Sequence, residues 1–204
     1  MFYEPRKKNH GLPHDPFKAI VAPRPIGWIS TVSAKGEVNL APYSFFNGIT
    51  DKPPTVMFSS EGAKDSVAFA EETKEFVCSL ATFDLRDQMN GTSAPLPRGE
   101  SEMQATGLEA APSRLVKPPR VAASPCALEC KWLQTVQLHD IDGKALDRYV
   151  VFGQAIGVYI DDRFIENGRL NTAAMKPIAR CGYDEYAMVE TVFKLTRPKG
   201  GGSL

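Results

Sequence analysis

Two long runs of alternating apolar and polar residues constrain the fold of this 204-residue chain more than any other feature. Within 128–138 the side chains of Leu128, Trp132 and Val136 face one way and polar residues face the other, which is the two-residue period of a half-buried strand. Residues 149–160 repeat the pattern after a turn signal at 139–144. The two runs therefore predict a pair of long neighbouring strands.

Shorter segments complete a mainly β pattern with few helices. Short strands at intervals, without a βαβ rhythm, favour an antiparallel barrel with peripheral helices over a doubly wound sheet. Residues 91–119 are rich in Gly, Pro, Ser and Ala and predict an excursion of little regular structure that covers part of the molecule. The remaining predicted strands are 26–32, 38–41, 55–60, 75–80 and 188–195, of which 75–80 alternates as a half-buried strand. The predicted helices are 67–73 and 81–90, and the double proline at 53–54 predicts a loop over 47–54.

Length and hydrophobic content, at 43%, predict one domain with one good core. We assign residues 24–198 to the barrel domain. Residues 1–23 are polar and proline-rich and predict an N-terminal arm lying on the surface or on a neighbouring subunit, and residues 199–204 predict a flexible tail.

Composition and motifs argue against several classes of function. Lys plus Arg and Asp plus Glu are equal at 24 each, so no net field favours nucleic acid or an anionic membrane. The N-terminus lacks the apolar stretch of a signal peptide and no run is long enough for a membrane helix, so we expect a cytoplasmic protein. Four scattered cysteines are typical of reduced thiols, and neither they nor the three histidines have metal-site spacing. Hydrolase, Walker A and zinc-protease motifs are absent.

The stretch 24–47 carries the strongest functional signal. It predicts a hairpin whose return strand ends at Pro42, which cannot donate to a ladder. The following residues 43–47 mix aromatic rings with hydroxyl and amide groups beside free backbone N–H groups, which suits a flat ligand rich in heteroatoms. On composition alone the same residues fit an ordinary strand bend with two core rings.

A second cluster predicts an anion site at the start of a helix. Ser59 and Ser60 precede Lys64, Asp65 and Ser66, so hydroxyl groups, an ammonium and free N–H groups fall close together. The alternative is that Lys64 is solvated and that Asp65 or Ser66 only caps the helix. An Asp65 carboxylate beside a phosphate would be repulsive unless it is occupied in capping.

The order of these motifs resembles the flavin reductase-like, FMN-binding split-barrel family. The resemblance is carried by Arg24-Pro-Ile-Gly-Trp28, Asn39-Leu-Ala-Pro42, Ser44-Phe-Phe-Asn47 and Lys64-Asp-Ser66, and it extends to Arg180-Cys-Gly-Tyr183. It implies a six-stranded antiparallel Greek-key split barrel that forms a homodimer with flavin at the interface.

The resemblance also implies a cofactor and a set of contacts. FMN is expected rather than FAD, with NAD(P)H as co-substrate. Thr31, Ser44 and Asn47 would orient the ring together with the backbone around Phe45. Ser59, Ser60, Lys64, Asp65 and Ser66 would hold the phosphate, and Arg24 and Arg180 are either surface charges or further cofactor contacts.

Flavin chemistry needs no obligate acid or base from the protein, so no catalytic side chain is expected. The leading hypothesis is an NAD(P)H:flavin oxidoreductase that supplies reduced flavin to a monooxygenase. The alternatives are an FMN-carrying electron-transfer protein like flavoredoxin, reduced by a protein partner, and a non-catalytic flavin-binding or interaction module. Tyr159 occupies a position where family members more often carry histidine, which leaves the nicotinamide preference open.

Overall fold

The computed structural model describes residues 1–196 and Pro198, and a seven-stranded antiparallel sheet dominates it. The strands are β1 (Arg24–Pro25), β2 (Gly27–Val32), β3 (Val38–Tyr43), β4 (Phe46–Asp51), β5 (Pro54–Glu61), β6 (Glu75–Leu80), β7 (Ala110–Ala111), β8 (Arg120–Val121), β9 (Cys126–His139), β10 (Ala145–Ile160), β11 (Ile165–Glu166), β12 (Arg169–Leu170), β13 (Ile178–Arg180) and β14 (Tyr186–Met188). The α-helices are α1 (Phe17–Ile20), α2 (Asp65–Thr73), α3 (Arg86–Gly91), α4 (Glu102–Ala105) and α5 (Thr172–Met175).

The main sheet has the order β3-β2-β6-β9-β10-β5-β4. Three hairpins, β2/β3, β4/β5 and β9/β10, are joined by antiparallel pairing of β6 with β2 and β9, and of β5 with β10. The architecture confirms the predicted mainly β fold with peripheral helices, and the long β9/β10 pair lies where the alternation predicted it.

Both faces of the central strands are buried, by different parts of the chain. One cluster joins Ile29, Phe58 and Phe76 to the inner face of α2, and the other packs Trp28 and its neighbours against α3, α4 and the excursion. The excursion therefore covers the second face of the sheet, as predicted. Strand β6 is accordingly buried on both sides except at Leu80, not half-buried as its alternation indicated.

Pro42 does not end its strand, and residues 47–54 are not all loop. Strand β3 continues to Tyr43, with Pro42 opposite Trp28. Because β3 is an edge strand, proline's lack of an N–H costs the sheet no hydrogen bond there. Residues 46–51 form β4, which pairs with β5 and gives the sheet a seventh strand beyond the six expected.

The predicted last strand at 188–195 is wrong. Strand β14 ends at Met188, and residues 189–196 have no regular structure. Val192, Phe193 and Leu195 are largely exposed there, so no neighbouring strand within the described part of the chain buries the alternating face. The predicted tail, 199–204, lies outside the described residues.

Candidate functional site

A cleft of about 500 Å³ opens where the end of β3 meets the start of α2 and the excursion. It contains the predicted anion-site residues Lys64, Asp65 and Ser66. The other lining residues are Asn39, Ala41, Pro42, Tyr43, Thr92, Ser93, Ala94, Pro95, Leu96 and Glu102.

A buried polar network forms the floor of the cleft. Asn39 Nδ2 donates to Ser66 Oγ at 2.8 Å, and both residues are buried. The Ser66 and Ser60 hydroxyls near the Tyr43 hydroxyl lower its pKa, but burial, the larger effect, raises the pKa of Tyr43 above its usual value. Tyr43 is therefore a neutral phenol at physiological pH, and the network fixes the Ser66 hydroxyl at the cleft wall.

The start of α2 offers unpaired donors to this cleft. Lys64 occupies the N-cap position without a side-chain cap, so neither Asp65 nor Ser66 caps the helix as the sequence suggested. The first helical N–H bond runs from Val67 to the Lys64 carbonyl at 2.9 Å, which leaves the N–H groups of Asp65 and Ser66 ahead of it. The Lys64 side chain is exposed beside them.

Asp65 is occupied by an ion pair instead of capping. Arg98 donates to Asp65 Oδ1 through Nε at 2.9 Å and through Nη2 at 2.5 Å. Its guanidinium also lies 5.8 Å from the Phe69 ring on the same helix. Arg98 comes from the excursion, and no sequence signal links it to residues 33 positions away.

Glu102 places a second carboxylate on the cleft wall. Its Oε2 accepts the backbone N–H of Leu40 at 2.9 Å, and the side chain is 9% exposed. Burial, opposed in part by that hydrogen bond, raises the pKa of Glu102. This acidic group was not among the predicted site residues.

A smaller cleft of about 190 Å³ shares Pro42 and Ser93 with the first and lies toward β13. The two clefts together form one groove. Ser44 and Arg180, both predicted site residues, line the smaller cleft with Tyr186. Arg180 Nη1 donates to the Tyr186 hydroxyl at 2.6 Å, and its guanidinium lies 4.5 Å from that ring. The groove therefore runs from cationic and hydroxyl groups at one end to an aromatic and guanidinium wall at the other.

Two predicted contacts lie away from this groove. Thr31 lines neither cleft and accepts a 3.4 Å bond from Asn39, so in this structure it supports the network. Arg24 is buried and donates to the carbonyls of Lys18, Val21 and Cys181, which fastens the N-terminal arm to the C-terminal loop. These bonds give Arg24 a structural role, and its role as a cofactor contact stays a prediction.

The other predicted residues lie on β4 and β5 or, for Phe45, in the bend between β3 and β4. Phe45 and Asn47 are exposed, with Phe45 beside the Arg24 guanidinium at 5.5 Å. Ser59 donates its backbone N–H to the Phe45 carbonyl at 2.8 Å, and the Ser60 hydroxyl donates to the Gly62 carbonyl at 2.9 Å. None of these four residues lines either cleft in the single chain.

A larger cavity of about 940 Å³, between residues 112–120 and the end of β10, contains none of the predicted cofactor residues. Tyr159 lines it and lies 3.6 Å beneath the Arg120 guanidinium. The atypical tyrosine is thus placed apart from the polar cleft.

Residues 1–196 and Pro198 contain neither a cluster of metal ligands nor a helix suited to span a membrane. No group of three or more metal-ligating side chains comes together there, and the four cysteines are free thiols. No helix in that part of the chain has the length and apolar character to cross a bilayer.

Comparison with known proteins identifies the family of this fold and groove. The flavin reductase like domain matches residues 21–167. A protein of Aquifex aeolicus is 35% identical over 173 residues, 82% of this chain and 85% of that one.

Solved structures agree. Nitrilotriacetate monooxygenase component B of Bacillus cereus is 25% identical, with a TM-score of 0.87 over 96% of this chain and 98% of that one. The 2-nitrobenzoate 2-nitroreductase of Pseudomonas fluorescens is 25% identical, with a TM-score of 0.83 over 100% and 99%. The sheet described above is the split barrel of flavin reductases, and the chain belongs to the flavin reductase like domain family.

Proposed function

We propose that this protein is an FMN-binding oxidoreductase that transfers hydride from NAD(P)H to flavin. The observation that carries the proposal is the polar end of the groove, where Lys64, the Ser66 hydroxyl and the start of α2 converge. Ammonium, hydroxyl and helix N-terminal N–H groups together are the donors that a phosphate group requires.

The donor set fits FMN along the whole groove. Lys64 and Ser66 would hold the phosphate, while Ser44 and the backbone beside Pro42 would orient the ring. When bound, FMN would supply the redox chemistry by accepting a hydride from reduced nicotinamide at its ring N5. The protein's task is to bind and orient both partners and to exclude water, so the lack of a predicted acid or base is consistent with the proposal.

The proposal includes a homodimer that completes the flavin site. The groove is open in the single chain, and Phe45 and Asn47 lie exposed beside it. A second subunit would cover this side of the groove and exclude water from the flavin ring. Because a structurally similar protein is a monooxygenase component B, supply of reduced flavin to a separate monooxygenase is the role we propose.

Anaerobic mixing tests the reaction. The purified protein is loaded with FMN and mixed with NADH or NADPH, with and without excess free FMN, while the oxidised-flavin absorbance is followed. Rapid bleaching and turnover of free FMN are expected, and the faster nucleotide identifies the preferred donor. Bound flavin that neither nucleotide reduces would favour the electron-carrier alternative, and failure to bind FMN would overturn both.

Substitution of Lys64 tests the phosphate assignment. Lys64→Ala should weaken FMN binding about 10-fold or more, the loss of one charge-assisted contact, and leave riboflavin binding nearly unchanged. Lys35→Ala, in the exposed turn between β2 and β3, is the matched control and should behave as wild type. An unchanged FMN affinity in Lys64→Ala, measured by flavin fluorescence titration, would refute the assignment.

A further inference from the structure

The ion pair between Arg98 and Asp65 is in an unusual position, because the Asp65 carboxylate lies in the polar end of the cleft. Asp65 is the first residue of α2 and lines the cleft with Lys64 and Ser66. Its side chain is 25% exposed, whereas that of Arg98 is 64% exposed. The pair therefore brings an arginine from the excursion over the group that would oppose an anion.

Charge at this position decides which ligands the cleft tolerates. The formal charges of Lys64, Asp65 and Glu102 on the cleft wall sum to −1, and Arg98 raises the local sum to 0. A phosphate monoester carries a charge between about −1.5 and −2 at neutral pH, so it is repelled by an uncompensated Asp65. A flavin without phosphate carries no such charge and is indifferent to the pair.

We propose that Arg98 is a specificity-determining residue of the flavin site, which neutralises Asp65 so that the cleft selects flavins carrying a phosphate group. The inference rests on the proposed function. Arg98 acts through Asp65 as a positioning and charge-balancing residue. The excursion thus supplies the charge that makes the α2 start selective for phosphate.

Binding of two flavins separates this role from a general effect on folding. FMN and riboflavin affinities are measured by fluorescence quenching for wild type, Arg98→Gln, Asp65→Asn and the double variant. Arg98→Gln should lose about 10- to 100-fold in FMN affinity, the range for one charge-assisted interaction, with riboflavin affinity changed less than about 3-fold.

The double variant identifies the mechanism. Asp65→Asn with Arg98→Gln restores the wild-type sum of formal charges, so its FMN affinity should return to within about 3-fold of wild type, which is less than 1 kcal/mol. A double variant as weak as Arg98→Gln would overturn the neutralisation and make Arg98 a direct phosphate ligand. An FMN-to-riboflavin ratio unchanged by Arg98→Gln would overturn the inference outright.

A matched control excludes a generic ion-pair effect. Arg163 makes a similar exposed pair with Asp161, with Nη2 and Oδ2 at 2.6 Å, away from the cleft. Arg163→Gln should leave both flavin affinities unchanged, and melting temperatures of all variants establish that each is folded. If wild type binds riboflavin and FMN equally, the inference fails while flavin binding stands; if it binds neither, the proposed function itself fails.

Discussion

At the residue scale, the two acidic side chains of the cleft are stabilised by different means. Asp65 is paired with an arginine, whereas Glu102 is buried and has one backbone N–H, that of Leu40, as its donor. A buried carboxylate with a single donor is poorly compensated as an anion. The raised pKa of Glu102 expresses that cost.

Glu102 should therefore make folding stability depend on pH. Its folded-state pKa lies above the unfolded value, so its contribution is most favourable below the unfolded pKa and is lost as pH rises through the folded pKa. The Glu102→Gln variant keeps an oxygen for the Leu40 N–H and removes this titration. Relative to it, wild type should gain stability as pH falls from 8 to 4, by about 1.4 kcal/mol for each unit of pKa shift.

Urea unfolding of the FMN-free protein at several pH values measures this effect. Glu100→Gln, two residues earlier on the exposed surface, is the control and should keep the pH profile of wild type. A constant stability difference between wild type and Glu102→Gln across pH 4–8 would contradict the prediction.

The same scale shows what sequence could not provide. The position of Lys64 and Ser66 at the start of a helix was predictable, because helix starts carry a local sequence pattern. Arg98 and Glu102 were not, because their partners lie 33 and 62 positions away and only the folded excursion brings them together. The expected capping role of Asp65 failed for that reason, since a distant arginine competes for its carboxylate.

At the element scale, close packing across the sheet depends on one glycine in β10. A Cβ at Gly153 would lie 2.3 Å from two atoms of the Phe76 ring and 3.2 Å from the Lys131 carbonyl. Phe76, on β6, is fully buried in the core cluster with Ile29 and Phe58. Its ring is therefore tightly confined. The register of β9 and β10 also shifts between Phe152 and Gly153.

Gly153→Ala should consequently destabilise the fold by about 1–3 kcal/mol, the usual cost of overpacking a core. Gly48→Ala is the matched control in β4, where an added Cβ meets no atom within 4 Å. Urea unfolding should lower the midpoint of the first variant and leave the second near wild type. Equal midpoints for the two variants would show that the close approach of β10 to the Phe76 ring does not determine the stability of the fold.

Strand boundaries followed the sequence where the alternation of apolar and polar residues was clear, as in β6, β9 and β10. Strands β9 and β10 were predictable because alternation and a turn signal specify them together. Strand β4 was missed because its six residues precede Lys52-Pro-Pro54 and carry little alternation, and its existence depends on pairing with β5. The pattern at 188–195 predicted a strand, yet no partner strand meets it in the described residues of one chain.

At the scale of the whole molecule, the main sheet of the single chain exposes several large apolar side chains to solvent. Ile49, Leu133 and Val158 are 48%, 47% and 62% exposed on β4, β9 and β10. Large apolar side chains exposed on several strands of one sheet supply the kind of surface that an interface buries. This surface is consistent with the proposed homodimer, whose mass would be twice the 22.4 kDa of the chain.

If flavin binds at that dimer interface, FMN affinity and dimerisation must be linked reciprocally, because a ligand that contacts both subunits binds the dimer more tightly than the monomer. Saturating FMN should therefore shift sedimentation equilibrium toward the dimer, and dilution of the protein should weaken FMN binding. At about 100 times the dissociation constant, FMN should also add about 2.7 kcal/mol of stability to the folded state. Riboflavin at equal saturation is the comparison, since it shares the ring and lacks the phosphate. A dimerisation constant that is the same with and without FMN would place the flavin wholly within one subunit.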